Sequence, residues 1–256
     1  MSENVVLEAK NLTKIYNYHM PNEFEALHGI DFQVFGGDFV AIMGPSGSGK
    51  STFINTISTI DVPTKGRVYI NGTEVRSMSE GEIGRFRYQN LGFIFQDFNL
   101  LDTHTMYENI AMPLSLAHVD KAEIKERVNK LANDMNIESL LHKYPFECSG
   151  GQRQRVAICR ALINNPRIIV ADEPTGNLDS ANSAELMNIL AGLNKDGVTI
   201  VMVTHDPLIT SYSTRVIYIK DGNIEKELSR ANKTQDEYFQ EIVEINSEES
   251  RELLKK

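Results

Sequence analysis

The stretch that most constrains this chain is "GPSGSGKST", Gly44 to Thr52. It satisfies G-x-x-x-x-G-K-[ST] in full and sits between an apolar run, "FVAIM", and a helical stretch, "KSTFINTISTI". Such a loop needs a strand to enter it and a helix to leave it, so it demands an α/β core. The backbone of Gly44, Pro45, Ser46, Gly47, Ser48 and Gly49 can wrap phosphates closely, with its N–H groups turned inward and Thr52 at the helix start. Lys50 supplies a fixed positive charge to the β- and γ-phosphates, and the Ser51 hydroxyl is a hard oxygen ligand suited to Mg²⁺.

The rest of the chain reads as follows. "VVLEAKNLTKIY" opens with β-type alternation, and "FQVFGGDFVAIMG" reads as strand, glycine turn and buried strand. "GRVYINGTEV" suggests an antiparallel piece beside the main sheet. From about residue 97 to 165 the chain turns mostly helical; within it Ile124, Val128, Leu131 and Met135 recur at helical spacing. "PRIIVADEP" and "GVTIVMVTHD" are buried-strand runs separated by the helix-like "SANSAELMNILAGL", and "RVIYIKDGNIEKEL" closes as a hairpin turning at Asp221-Gly222. This order predicts a mostly parallel sheet with a helical lobe. Residues 231–256 form an acidic extension of seven acids against four bases, with Tyr238, Phe239, Ile242 and Val243 as an apolar stripe. That stripe is expected to pack the extension on its own domain, with a partner-binding tail as the alternative.

Composition excludes several classes. The 26 Lys and Arg against 35 Asp and Glu leave a net charge of −9, which disfavours a nucleic-acid partner. Cys148 and Cys159 are too few for a disulfide framework and lack metal-site spacing. The N-terminus carries no signal-peptide pattern, and no apolar run approaches the roughly 20 residues of a membrane helix.

Four further residues sit where buried strands end. Asp172 and Glu173 close "RIIVADE": Asp172 is assigned to the metal and Glu173 to the attacking water. His205 follows "VTIVMVT", at the carboxyl end of a strand where ligand-facing groups collect. Gln96 follows "GFIF", where a neutral amide can reach the metal shell or the water and still swing away. Tyr16, ahead of the loop, can stack on a purine or simply pack. The other histidines (His19, His28, His104, His118 and His142) read as structural or surface groups.

"ECSGGQRQR" poses a different question. Ser149 and Gln152 fit a capping box that starts a helix, but capping does not call for Gly150 and Gly151 between them. Bare glycines serve where something approaches the backbone closely. With only one hydrolytic set in the chain, a second anion-binding helix start suits the site of another copy.

Together, "GPSGSGKST", Gln96, "SGGQ", "IIVADE", "GNLD" and His205, in that order, resemble the nucleotide-binding subunit of ATP-binding cassette transporters over residues 5 to 228. The resemblance implies a P-loop NTPase (RecA-like) core with an antiparallel β piece and an inserted helical subdomain: residues 1–230 as the ATPase domain and 231–256 as the extension. It implies Mg²⁺-dependent ATP hydrolysis in a head-to-tail homodimer. There Ser149, Gly150, Gly151 and Gln152 meet the partner's nucleotide, and Asn177 to Asp179 lie across the interface. Cys148 stands where the family usually has an aliphatic residue, which implies altered packing rather than lost function.

A finer resemblance, through "LGFIFQDFNLLDTHTMYENIAMPLSL", "VMVTHDPLITSYSTRVIYIKDG" and "EYFQEIV", is to the bacitracin-resistance (BceA-type) ATPases; Asn17 to Ala26 are similar to an insertion of that group. It implies an integral membrane permease as partner, a sensor histidine kinase reached through the permease, and a place at the cytoplasmic face of the plasma membrane. The alternatives are a lipoprotein-release or macrolide-efflux ATPase and a non-transport signalling module. A translation- or repair-type ATPase would carry two cassettes or long coiled-coil inserts, neither of which is present.

Overall fold

The computed structural model describes residues 4–253, and side chains to residue 247. Along the chain run β1 (Val5–Tyr16), β2 (Phe24–Phe35), β3 (Phe39–Met43), α1 (Lys50–Ile57), β4 (Lys65–Ile70), β5 (Thr73–Glu74), α2 (Glu80–Asn90) and β6 (Leu91–Phe95). Then follow α3 (Met106–Leu116), α4 (Lys121–Asp134), α5 (Gly150–Leu162), β7 (Ile168–Asp172), α6 (Ser180–Lys195), β8 (Thr199–Val203), α7 (Pro207–Thr210), β9 (Arg215–Lys220), β10 (Asn223–Ser229) and α8 (Gln235–Leu253). Two sheets result. One is antiparallel, in the order β2-β1-β4-β5; the other runs β10-β9-β3-β8-β7-β6 and is parallel except at the β10 edge.

The parallel strands are near-continuous apolar runs because both their faces are covered. Phe39, Ala41 and Met43 of β3 face a core with α5, α6 and α8, to which β7 gives Ile169 and Ala171 and β8 gives Ile200 and Met202. The alternate residues, Val40, Ile42, Ile168, Val170, Val201 and Val203, face α1 and the antiparallel sheet. Helix α1 is therefore the spacer between the two sheets. Its Phe53 is fully buried, edge-on to Phe32 of β2 with ring centroids 5.2 Å apart.

A third core belongs to the helical lobe, where α3, α4 and α5 bury Ile110, Leu114, Ile124, Val128, Val156 and Cys159 together. Leu131 and Met135 of the expected stripe are only partly buried, at the border with the core beneath the sheet. Cys148 packs partly buried on the edge of this lobe. The acidic extension forms α8, which packs on its own domain through buried Tyr238 and Ile242; Phe239 and Val243 are only partly covered. Helix α2 was not legible in the sequence. It buries no residue, so it shows no apolar stripe; its start is held instead by the Ser79 N–H donating to Glu82 Oε2 at 2.8 Å.

Pairing fixes where the strands stop. Phe95 lies opposite Asp172, Asp172 opposite Val203, and Val203 opposite Ile42. Four neighbouring strands thus end at one level, and whatever follows each of them meets at the same edge.

If α1 is the spacer, Phe53→Ala should cost about 3–5 kcal/mol. Phe146→Ala, at a position 73% exposed, should stay within about 0.5 kcal/mol. Urea unfolding midpoints separate the two, and equal midpoints would contradict the spacer role.

Candidate functional site

The loop leaving β3 turns on Gly44, whose φ of 145° is combined with very close packing. A Cβ there would stand 1.9 Å from the Ile219 carbonyl oxygen and 2.9 Å from Ser48 Oγ, so only glycine fits. The β9–β10 turn, left-handed at Asp221 and Gly222, grips the other side of the loop. Gly222 N–H donates to the Ser48 carbonyl at 3.0 Å, and the Gly222 carbonyl accepts from His28 N–H at 3.0 Å. Lys50 Nζ folds back to donate to the Pro45 carbonyl at 2.7 Å. The loop is held open around a cavity of about 710 Å³.

Gly44, Pro45, Ser46, Gly47, Gly49, Lys50, Ser51 and Thr52 line that cavity together with Glu173 and His205. Ser48 is buried within the loop instead. Glu173 is one of the non-glycine residues with positive φ (46°), its N–H donating to the Val203 carbonyl at 3.0 Å. That backbone turns the carboxylate off the strand end and towards His205, whose Nδ1 lies 2.9 Å from Glu173 Oε1. An ionised carboxylate only accepts, so hydrogen bonding within this pair calls for a proton on Nδ1. His205 is 74% exposed and Glu173 20%, which leaves the pair open to the cavity.

Asp172 sits behind them. Burial raises its pKa, the neighbouring Glu173 raises it further, and Lys50 opposes both. Burial correspondingly lowers the Lys50 pKa, against the pull of Glu173 and Asp172. Asp172 Oδ1 is buried without a hydrogen-bond partner, an arrangement that a cation would satisfy. Among the described residues no three His, Cys, Asp or Glu side chains converge as a metal cage. One carboxylate and the Ser51 hydroxyl fit Mg²⁺, which takes few protein ligands and completes its shell with phosphate oxygens and water.

Three expectations from the sequence meet a different geometry. Tyr16 does not line the cavity; its hydroxyl lies 3.2 Å from Thr52 Oγ1, and Phe24, its ladder partner in β2, lines the cavity instead. Gln96 is exposed and turned away over Gly176, where an added Cβ would meet its Nε2 at 2.8 Å. And Gly151 has a reason within its own chain: a Cβ there would stand 2.3 Å from Asn182 Oδ1. Gly150, with nothing nearer than 3.7 Å, has no such reason.

Ser149 caps α5 as the sequence predicts, accepting from Gln152 N–H at 3.3 Å while its own N–H donates to Gln152 Oε1 at 3.0 Å. Asp179 caps α6 and accepts from both the backbone N–H and the side-chain amide of Asn182, which hold its carboxyl below the usual range. Ser149, Gly150, Gly151, Gln152 and Asp179 all lie outside the cavity. They are braced to it indirectly. Gln154 of α5 donates to the Pro174 carbonyl at 3.1 Å, and Asn177 donates to the Gln96 carbonyl and to Asp97 Oδ1. Besides Phe24, the sequence reading missed Ala26, Met43 and Asn246 in the cavity wall. The length of the β1–β2 hairpin conceals Phe24 and Ala26, and Asn246 follows Ile242 by one helical turn.

The Gly151 contact makes a testable pair. Gly151→Ala should destabilise the chain through Asn182, and Asn182→Ala should relieve most of that loss. A double-mutant cycle should therefore give a coupling of roughly 0.5–3 kcal/mol; additive effects would show that the contact is not felt.

The family model described as "ABC transporter" matches residues 27–176. The chain is 46% identical over 243 residues to the ABC transporter ATP-binding protein YxdL of Bacillus subtilis, covering 94% of this chain and 93% of that one. It is 46% identical over 239 residues to the bacitracin export ATP-binding protein BceA of Halalkalibacterium halodurans, covering 93% and 94%. Among solved structures it is similar to a dimeric post-hydrolysis state of the cassette MJ0796 bound to ADP and Pi. That match has a TM-score of 0.80 and 40% identity, covering 87% of this chain and 98% of that one. The chain belongs to the ABC transporter family, as one of its ATPase cassettes.

Proposed function

We propose that this chain is the ATP-hydrolysing subunit of a peptide-antibiotic (bacitracin-type) resistance transporter. It works as a homodimer on a separate integral membrane permease at the cytoplasmic face of the plasma membrane. The observation that carries the reading is a half-finished site. Lys50, Ser51, Glu173 and His205 gather in one cavity, while the second anion-binding helix start, Ser149 to Gly151, opens elsewhere on the same chain. Two copies arranged head to tail bring each helix start to the other's cavity, with Asp179 between them. The similarity to the bacitracin exporter's ATPase runs nearly end to end on both chains and supports the subtype.

In the proposed cycle, ATP binds with its triphosphate in the Gly44–Thr52 loop and Lys50 between the β- and γ-phosphates. Ser51 and Asp172, with Gln96 as a further oxygen ligand, would hold Mg²⁺, which would neutralise charge on the phosphates. Glu173 takes a proton from a water whose oxygen bonds to the γ-phosphorus while the bond to the β–γ bridging oxygen breaks, releasing ADP and phosphate. His205 keeps the Glu173 carboxylate aimed. Closure of the pair on ATP and its reopening after hydrolysis provide the stroke for the permease.

A surface for such a permease is available. Arg87, Tyr88, Phe93, Met112, Pro113 and Leu116 line a mainly apolar groove of about 330 Å³ where α2, β6 and α3 meet. No helix among the described residues is long and apolar enough to cross a membrane. A sensor kinase would be reached through that permease.

Glu173→Gln should keep ATP binding and lose turnover by roughly 10²–10⁴-fold, read as phosphate release. Lys50→Ala should weaken ATP binding by roughly 10–100-fold in a direct titration. Wild-type turnover by Glu173→Gln would remove Glu173 as the base. The same variant, tagged and recovered with Mg-ATP from detergent-solubilised membranes, should bring down a many-helix permease with a large extracellular domain. A four-helix permease would favour the lipoprotein-release or macrolide reading, and no membrane partner would count against transport.

A further inference from the structure

Helix α8 lies beyond the region matched by the family model, yet it reaches the nucleotide cavity. Its anchor is explicit. Tyr238 and Ile242 are buried against the underside of the sheet, with Ile245 packed beside them. Burial pushes the Tyr238 phenol up to about 12, as expected for a ring fixed in the core, and its hydroxyl donates to the Leu228 carbonyl at 3.4 Å. The start of the helix is tied down as well. Thr234 N–H donates to Glu237 Oε2 at 2.8 Å, and Lys233 is paired with Glu241.

Residues 238, 242, 245 and 246 recur at helical spacing and share one face. Along that face the residue type changes where the surroundings change. It is apolar while the helix crosses the core, and it becomes an amide at Asn246, where the face meets the cavity lined by Lys50, Ser51, Glu173 and His205. An amide offers two N–H donors to an anion and adds no charge to the site.

We propose that Asn246 is a nucleotide-binding residue of this cassette. Its side-chain amide donates to an oxygen of the ATP triphosphate held in the Gly44–Thr52 loop. Through that contact occupancy of the cavity fixes the C-terminal half of α8, so that the helix senses whether ATP is bound. The inference rests on the ATPase reading of the cavity. It adds a cis contact from a helix that lies outside the matched cassette.

The test uses the full chain in the Glu173→Gln background, where ATP is not consumed, with Asn246→Ala, Asn246→Asp and Asn246→Ser. Direct titration with Mg-ATP should show Asn246→Ala binding roughly three- to tenfold more weakly, the loss of one hydrogen bond. Asn246→Asp should be weaker still, because a carboxylate would face the phosphates, and Asn246→Ser should recover part of the loss. Melting of each variant without nucleotide is measured alongside, which separates any loss of a contact of Asn246 within the chain from the loss of ATP affinity. Hydrogen exchange at residues 242–253 should slow on ATP addition in the parent and not in Asn246→Ala. Unchanged affinity in Asn246→Ala, or Asn246→Asp binding no more weakly than Asn246→Ala, would overturn the contact. A parent chain that binds no ATP would instead overturn the reading of the cavity itself.

Discussion

The site depends on one backbone approach. Gly44 passes so close to the Ile219 carbonyl that no side chain can stand between them, and its φ of 145° is open to glycine alone. That contact joins the end of β3 to β9, and the Gly222 hydrogen bonds to Ser48 and His28 extend it across the β9–β10 turn into β2. The phosphate loop is therefore shaped before any ligand arrives. Preorganisation of this kind means that binding energy is not consumed in building the loop.

The level edge of the parallel sheet does the rest. Because β3, β8, β7 and β6 stop in register, the residues just past their ends fall into one row: Gly44, His205, Glu173 and Gln96. Three of the four face the cavity, and Gln96 is parked over Gly176. Its backbone carbonyl is held by Asn177, whose loop also receives Gln154 from α5. The backbone at Gln96 is thereby tied, through the Pro174–Asn177 loop, to α5, at whose start Ser149 and the two glycines lie. This wiring suits a cassette whose chemistry must be reported to another protein.

Much of this was legible in the sequence because the relevant signals are local. "GPSGSGKST" fixes loop and helix together, the apolar runs ending in "ADE" and "THD" fix two strand ends, and Asp221-Gly222 fixes a hairpin turn. What was not legible depends on contacts between distant segments. The close approach of the Asn182 amide to Gly151 comes from a residue thirty-one positions later in the chain. Phe24 lines the cavity wall opposite Tyr16 in the β1–β2 ladder, a pairing that the bulges of the hairpin hide from the sequence. Helix α2 is set by a cap and not by burial, so periodicity could not reveal it.

The central claim is that the Ser149 helix start completes the cavity of a second copy and has no part in its own. Sedimentation of Glu173→Gln with and without Mg-ATP, set against Glu173→Gln/Ser149→Arg, measures this directly. The account predicts an ATP-dependent dimer for the first protein. The second should stay monomeric while still binding ATP at its phosphate loop. A dimer that survives Ser149→Arg unchanged, or ATP binding by the monomer that is lost with Ser149, would contradict it.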